Sequence, residues 1–190
     1  SLQSFFVNSE ILSANAESSD GKFGIMAKHT HSTIALDIGE IKVVNGGQIT
    51  ANTEGEGNAG AIILKATGLE IGLAQETESD VNLAGSVIAS VTSGKGESAG
   101  KGGKINIEVE QLDVRSLGLI DSSTLGVGDG GSVQIQSTAI TIEGHQSIIR
   151  ASSEGKGLSG DLDIITSDLS ISRFGQIQSA SNGIGDGGYI

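Results

Sequence analysis

The chain of 190 residues contains 30 Gly and no Pro, Cys or Trp, and aromatic residues make up only 3% of it. Its formal charge of −12 excludes the clustered cations that nucleic-acid binding or docking on an anionic membrane requires. The missing cysteines exclude a disulfide framework and thiolate metal sites, and no apolar run reaches the roughly 20 residues of a membrane-spanning helix.

From the N terminus, Ser1 to Leu12 shows neither a basic n-region nor a small-residue cleavage site, so it does not read as a signal peptide. A weak coil starts at Ile11 with Ser13 and Asn15, then resumes at Ile34, Leu36 and Ile38, followed by Ile41 and Val43. Residues Asp20 to His31 read as an insertion between its parts. The next coil is complete: Ile49, Ala51, Thr53, Gly55, Gly57 and Gly60, then Ile62 and Leu64, then Leu69 and Ile71. A second insertion covers Gly72 to Ser86. Ile88, Ser90, Thr92, Gly94 and Gly96 then repeat the opening, and Gly103, Ile105, Ile107, Leu112 and Val114 follow a short insertion at Lys95 to Gly102.

The last three coils align without a gap. Ile120, Ile149 and Ile177 stand 29 and 28 residues apart. Each is followed by a small residue (Ser122, Ala151, Ser179), a hydroxyl (Thr124, Ser153, Ser181) and three glycines ending at Gly131, Gly160 or Gly188. Val133, Ile135, Ile140 and Ile142 have their counterparts in Leu162, Ile164, Leu169 and Ile171. A period of about 28 residues thus runs through the chain, with starts at Ile11, Ile49, Ile88, Ile120, Ile149 and Ile177.

Each coil carries three short segments of period-two alternation and no helical periodicity, which predicts half-buried strands. Stacking each strand on its equivalent one coil along, about 4.8 Å away, buries aliphatic columns such as Ile62, Ile105, Val133 and Leu162. The fold expected is all-β: one right-handed parallel β-helix over residues 1–190, with three-stranded coils, about six in number. With so few aromatics, its core rests on many aliphatic side chains contributing roughly 1.5–3 kcal/mol each. Glycines turn the corners, and the hydroxyl column (Thr53, Thr92, Thr124, Ser153, Ser181) is positioned to hydrogen-bond along the axis. Neither end shows a capping signal. The ends therefore read as cuts through a longer rod or as head-to-tail self-association interfaces that build filaments.

The strings Gly128-Asp129-Gly130-Gly131-Ser132-Val133-Gln134-Ile135, Ile177-Gln178-Ser179-Ala180-Ser181 and Gly185-Asp186-Gly187-Gly188 carry a family likeness. The chain resembles the filamentous-haemagglutinin-like exoproteins of two-partner secretion, especially their cyanobacterial members, clearly from Ile49 onward and weakly before it. The resemblance implies secretion through an outer-membrane transporter and display at the cell surface as an adhesive fibre. It covers repeat region only, because the chain has no proline and so no Asn-Pro-rich export motif.

Motifs that carry chemistry elsewhere have plainer readings here. G-x-G-x-x-G recurs at Gly55/57/60, Gly126/128/131, Gly155/157/160 and Gly183/185/188. A dinucleotide fingerprint must open a helix, and these lead into strands. Asp129 and Asp186 in glycine-rich runs suggest calcium, but shared calcium sites need consecutive nine-residue repeats. Asp161 and Asp163 flank Leu162 and point outward about 6.5–7 Å apart, a spacing compatible with glycoside hydrolysis, yet neighbouring coils supply no partner acids or cations. His145, after Gly144, lacks a supporting acid pair. His29 and His31, near Asp20, have metal-ligand spacing in a polar insertion, and Glu76, Glu78 and Asp80 form a solvated acidic run. No catalytic residue and no cofactor is assigned. The expected function is a non-catalytic extracellular surface fibre with a carbohydrate or other cell-surface ligand; the alternative is a carbohydrate-binding or carbohydrate-cleaving β-helix protein.

Overall fold

The structure is a computed structural model describing residues 6–7, 14–16, 23–26, 32–35, 39–54, 57–73, 85–94 and 100–190. In chain order its strands begin with β1 (Phe6–Val7), β2 (Ala14–Ala16), β3 (Phe23–Met26), β4 (Ser32–Ala35) and β5 (Glu40–Val44). β6 (Gln48–Thr50), β7 (Ala61–Gly72), β8 (Ser86–Ala89), β9 (Lys104–Val114) and β10 (Gly118–Asp121) follow. The last are β11 (Ser132–Glu143), β12 (Ile148–Arg150), β13 (Leu162–Ser172) and β14 (Gln176–Gln178). No helix occurs among the described residues.

Two sheets form. One runs β1-β4-β7-β9-β11-β13, with β5 also on β7; the other runs β14-β12-β10-β8-β6-β3-β2. From β3 to β14 every pairing is parallel. The strands stack as a β-solenoid of about four turns. Its registers are those of the repeat: Ile49 pairs with Ile88, Ile88 with Ile120, Ile120 with Ile149 and Ile149 with Ile177. Ile62, Ile105, Val133 and Leu162 likewise line up. All of these are buried except Ile177, on the last turn.

The alternating segments do not appear as three separate strands. In β7, β9, β11 and β13 the second and third run together as one long strand, and the hydroxyl that ends the first is reduced to a ladder of single bridges, Thr53–Thr92–Thr124–Ser153–Ser181. Within a long strand the inward face changes phase. In β11, Val133, Ile135 and Ser137 face in, then Ile140 and Ile142. Two adjacent residues, Thr138 and Ala139, lie towards the outside between them, and the strand turns a corner without losing its neighbours. The buried Ser137 hydroxyl holds that corner, its single proton shared between Ala139 O (2.8 Å) and, in the preceding turn, Glu110 O (3.0 Å).

The next corner, between long and short strands, uses left-handed backbone. Gly46, Leu117, Gln146 and Phe174 each stand three residues before the column isoleucine of the short strand and have φ of 87°, 61°, 58° and 74°. Only the first of these is the residue type that adopts this region at no steric cost.

The third corner is the glycine-rich one, and its final glycine is compulsory. A Cβ on Gly131 would stand 1.8 Å from Gly103 O and 2.1 Å from Ser122 Oγ, and on Gly103 1.9 Å from Gly60 O and 2.0 Å from Ser90 Oγ. The same serines use this closeness. Ser90 Oγ donates to Gly60 O (2.5 Å), Ser179 Oγ donates to Gly160 O (2.7 Å), and Ser122 Oγ donates to Gly103 O. Glycine and serine columns form one lock between successive turns.

Two expectations need correction, and a third gains its acceptors. Part of the supposed insertion at residues 20–31 is β3, whose Ile25 pairs with Ile49; the coil before Ile49 is registered on Ile25, whereas Ile11 lies outside the described residues. The hydroxyl column does bond along the axis as expected, through main-chain acceptors: Thr124 Oγ1 donates to Gly100 O (3.4 Å), Ser153 Oγ to Gly128 O (3.2 Å) and Ser181 Oγ to Gly157 O (3.2 Å), each in the preceding turn, while Thr92 Oγ1 donates within its own turn to Lys101 O (2.7 Å). Finally, the first turns do carry end strands, since β1 lies antiparallel on β4 and β2 antiparallel on β3.

Two predictions follow from the columns and the lock. Ile149→Asp, at a fully buried position, places an unpaired charge in the core at a cost of several kcal/mol. Gln178→Asp, exposed one residue past Ile177, leaves the melting temperature nearly unchanged. Gly131→Ala overpacks the lock and destabilises by about 1–3 kcal/mol or more. Gly187→Ala, whose Cβ meets nothing nearer than 3.9 Å, is close to neutral in the same denaturant titration.

Candidate binding surfaces

Two grooves cross several turns of the solenoid. The first, about 450 Å³, lies over the glycine corner and has Gly60, Gly103, Gly131 and Gly160 as its floor. Because those glycines carry no side chain, main-chain atoms line it. Its polar side chains reach one turn along: Asn58 Oδ1 accepts from Lys101 N (2.9 Å), Asp129 Oδ1 from Leu158 N (3.0 Å) and Asp161 Oδ1 from Tyr189 N (3.1 Å). Lys101 Nζ lies 2.8 Å from Asp129 Oδ2. The lysine hydrogen bond, with the Leu158 amide second, holds the Asp129 carboxyl below its ordinary range, and the same contact raises Lys101.

The second groove, about 620 Å³, follows the corner inside the long strands β7, β9, β11 and β13. Glu108, Glu110, Gln136, Thr138 and Ser167 line it, and Lys65 at one end is paired with Glu108. Thr166 Oγ1, at the other end, has its single proton within reach of Thr138 O (3.1 Å) and Asp168 O (2.9 Å). Carboxylates, an amide and hydroxyls in rows one turn apart can hydrogen-bond an extended, hydroxyl-rich ligand.

The residues singled out in sequence are dispersed. Asp161 and Asp163 are exposed on either side of buried Leu162, and Asp163 pairs in register with Gln134. Among the described residues no Lys or Arg forms an ion pair with them. Asp129 is engaged by Lys101, and Asp186 is exposed in the last corner. Among the described residues no three His, Asp or Glu side chains gather as a metal-holding group. His145 stacks on Phe174, with ring centroids 4.4 Å apart and planes at 20°. Gly60, Gly131 and Gly160 each lead into a long strand. Asp20, His29, His31, Glu76, Glu78 and Asp80 lie outside the described residues.

One pair escaped the sequence reading. Arg150 Nε and Nη2 both donate to Asp121 Oδ2, at 2.9 and 2.7 Å, and Asp121 Oδ1 accepts from Ser123 N (3.0 Å). The Asp121 side chain is 5% exposed. Asp121 and Arg150 are cross-strand neighbours on β10 and β12, so the repeat register does place them together once Ile120 and Ile149 are aligned.

Arg150→Ala leaves the buried Asp121 carboxylate with its backbone donor alone and destabilises by roughly 1.5–3 kcal/mol, as for a hydrogen bond to a charged group. Asp121→Asn with Arg150→Ala together recovers part of that loss, which a double-mutant cycle measures. No known protein family, curated protein or solved structure matches this chain.

Proposed function

We propose that the chain is a stretch of an extracellular structural or adhesive fibre, displayed at the cell surface and without catalytic activity. The observation carrying this reading is the unbroken register from Ile49 to Ile177, a repeat that propagates one cross-section along an axis. An acidic exterior and small, polar outward residues suit a solvated rod. In this reading the coil winds right-handedly, has three faces, and is repeated about six times once the first turns are counted. The resemblance to two-partner-secretion exoproteins supports export through an outer-membrane transporter.

A second reading, a carbohydrate-binding or carbohydrate-cleaving solenoid, is favoured by the groove that Glu108, Glu110, Gln136, Thr138 and Ser167 line. Its test is calorimetric titration with soluble polysaccharides, together with release of reducing ends. Binding abolished by Glu110→Ala and Thr138→Ala supports it.

The fibre reading is tested on cells that produce the protein. Protease added to intact cells should remove it, and the membrane-free cytosol should contain almost none. A protease-resistant cytosolic pool would overturn the extracellular assignment.

A further inference from the structure

Two Asn-Gly pairs occur in the chain, Asn45-Gly46 and Asn182-Gly183. The pair is chemically labile because the amide nitrogen after the asparagine can attack the side-chain carbonyl carbon, and a glycine there has no side chain to obstruct the approach. In a folded chain the outcome depends on what holds that nitrogen.

The solenoid treats the two pairs oppositely. Both asparagines are exposed, so access of water does not separate them. Asn45 has a φ of 54°, and its N–H donates to Gly72 O (3.0 Å). The Gly46 N–H donates to Ser86 Oγ (3.2 Å), a fully buried hydroxyl that in turn donates to Gly72 O (2.9 Å). Attack at Asn45 must first pull a bonded amide out of that cluster. At the other pair, Asn182 N donates to Ser153 O (2.9 Å). Among the described residues nothing hydrogen-bonds the Asn182 side chain or the Gly183 N–H. This belongs to the corner and not to the last turn. One turn earlier Gly155 N is equally unbonded among the described residues. Leu125 and Glu154, which follow the bridged Thr124 and Ser153 as Asn182 follows Ser181, are exposed as well.

We propose that Asn182 is a self-modification site, where the chain converts its own asparagine to aspartyl and isoaspartyl forms, with Asn45 as the protected counterpart. The deprotonated Gly183 N bonds to Asn182 Cγ, the Cγ–Nδ2 bond breaks, and that nitrogen leaves as ammonia, giving a five-membered imide. Water then adds to one imide carbonyl. Breaking the new bond to Cγ restores the original main chain with a side-chain carboxylate. Breaking the bond to the main-chain carbonyl carbon instead routes the chain through Cβ and Cγ, one carbon longer. Either product sets a carboxylate one turn from Glu154, because Ser153 and Ser181 are in register, and like charges so placed repel. The longer chain does more. Gly183, Gly185 and Gly188 sit so close to the preceding turn that a Cβ on each would stand 1.6, 2.1 and 2.2 Å from the carbonyl oxygens of Gly155, Gly157 and Gly160. An added carbon before Gly183 shifts all three from those seats. The site is the same whether or not the chain is displayed outside the cell.

The test ages the purified chain in mildly alkaline buffer and follows both pairs by peptide mapping, with chromatography and mass spectrometry separating aspartyl from isoaspartyl products. In the folded chain Asn182 should convert at least about ten-fold faster than Asn45, whose glycine amide is released only by local opening. In concentrated urea, where neither pair is held, the two rates should converge. The aged isoaspartyl form should also exchange the Leu162 amide, which donates to Tyr189 O (2.9 Å), faster than Asn182→Asp, which carries the charge without the extra carbon. Equal rates at the two pairs in the folded chain overturn the selective site. Conversion of Asn182 in urea but not in the folded chain means that the corner shields it, and overturns the proposal. Equal exchange in the aged form and in Asn182→Asp overturns the effect on the glycine corner.

Discussion

Everything in this fold depends on keeping one turn within main-chain hydrogen-bonding distance of the next all the way round, corners included. Strands satisfy this by their nature; corners do not, because side chains push successive turns apart. The glycine column at Gly103, Gly131 and Gly160 removes that obstacle, and serines at 90, 122 and 179 turn the close approach into hydrogen bonds to the previous turn's carbonyls. Where Ala151 replaces serine, its methyl group occupies the site, 3.1 Å from the position of a Gly160 Cβ, and the bond within the turn from Gly160 N to Ala151 O (3.0 Å) matches those from Gly103 N to Ser90 O (2.9 Å) and Gly131 N to Ser122 O (2.7 Å). Methyl or hydroxyl is accepted at this position, since either is small enough to leave the main chains in contact.

The other two corners have no unbroken glycine column, although Gly118 and Gly175 also lie where a Cβ would meet a carbonyl, Ile71 O at 2.6 Å and Ile142 O at 2.3 Å. The long strands change inward phase at Thr138 and Ala139 and stay paired, with Ser137 satisfying carbonyls that the bend would otherwise leave unmatched. Leu117, Gln146 and Phe174 instead adopt left-handed backbone, at a steric cost of about 1–2 kcal/mol per residue. At Leu117 the strained residue is itself tied to the neighbouring turn, its N–H donating to His145 O (2.8 Å). Local strain is thus held in place by bonds to the neighbouring turn.

The inward columns were legible in the sequence because a two-residue period and a 28- or 29-residue spacing are both visible in isoleucine positions alone. The glycine corner was legible for the same reason. What escaped was set by distances that spacing does not encode. The hydroxyl ladder was identified but its acceptors were not, because they are corner carbonyls whose positions residue spacing does not give. Leu117, Gln146 and Phe174 give no compositional sign of positive φ, and the first coil was registered on Ile11 because Phe23–Met26 sits in a polar stretch that interrupts the pattern. As for the candidate surfaces, the grooves arise from side chains one turn apart, such as Glu108 and Gln136, which are remote in sequence and unremarkable singly.

The ladder geometry also determines how the molecule bears load. Tension applied along the solenoid axis acts parallel to the inter-turn hydrogen bonds and separates one turn from the next in succession, rather than shearing a whole sheet at once. Each detached turn of about 28 residues pays out roughly 90–100 Å of extended chain. Under a pull the chain would lengthen in even steps at nearly constant force, a yielding tether whose remaining turns stay folded while the outermost one gives way.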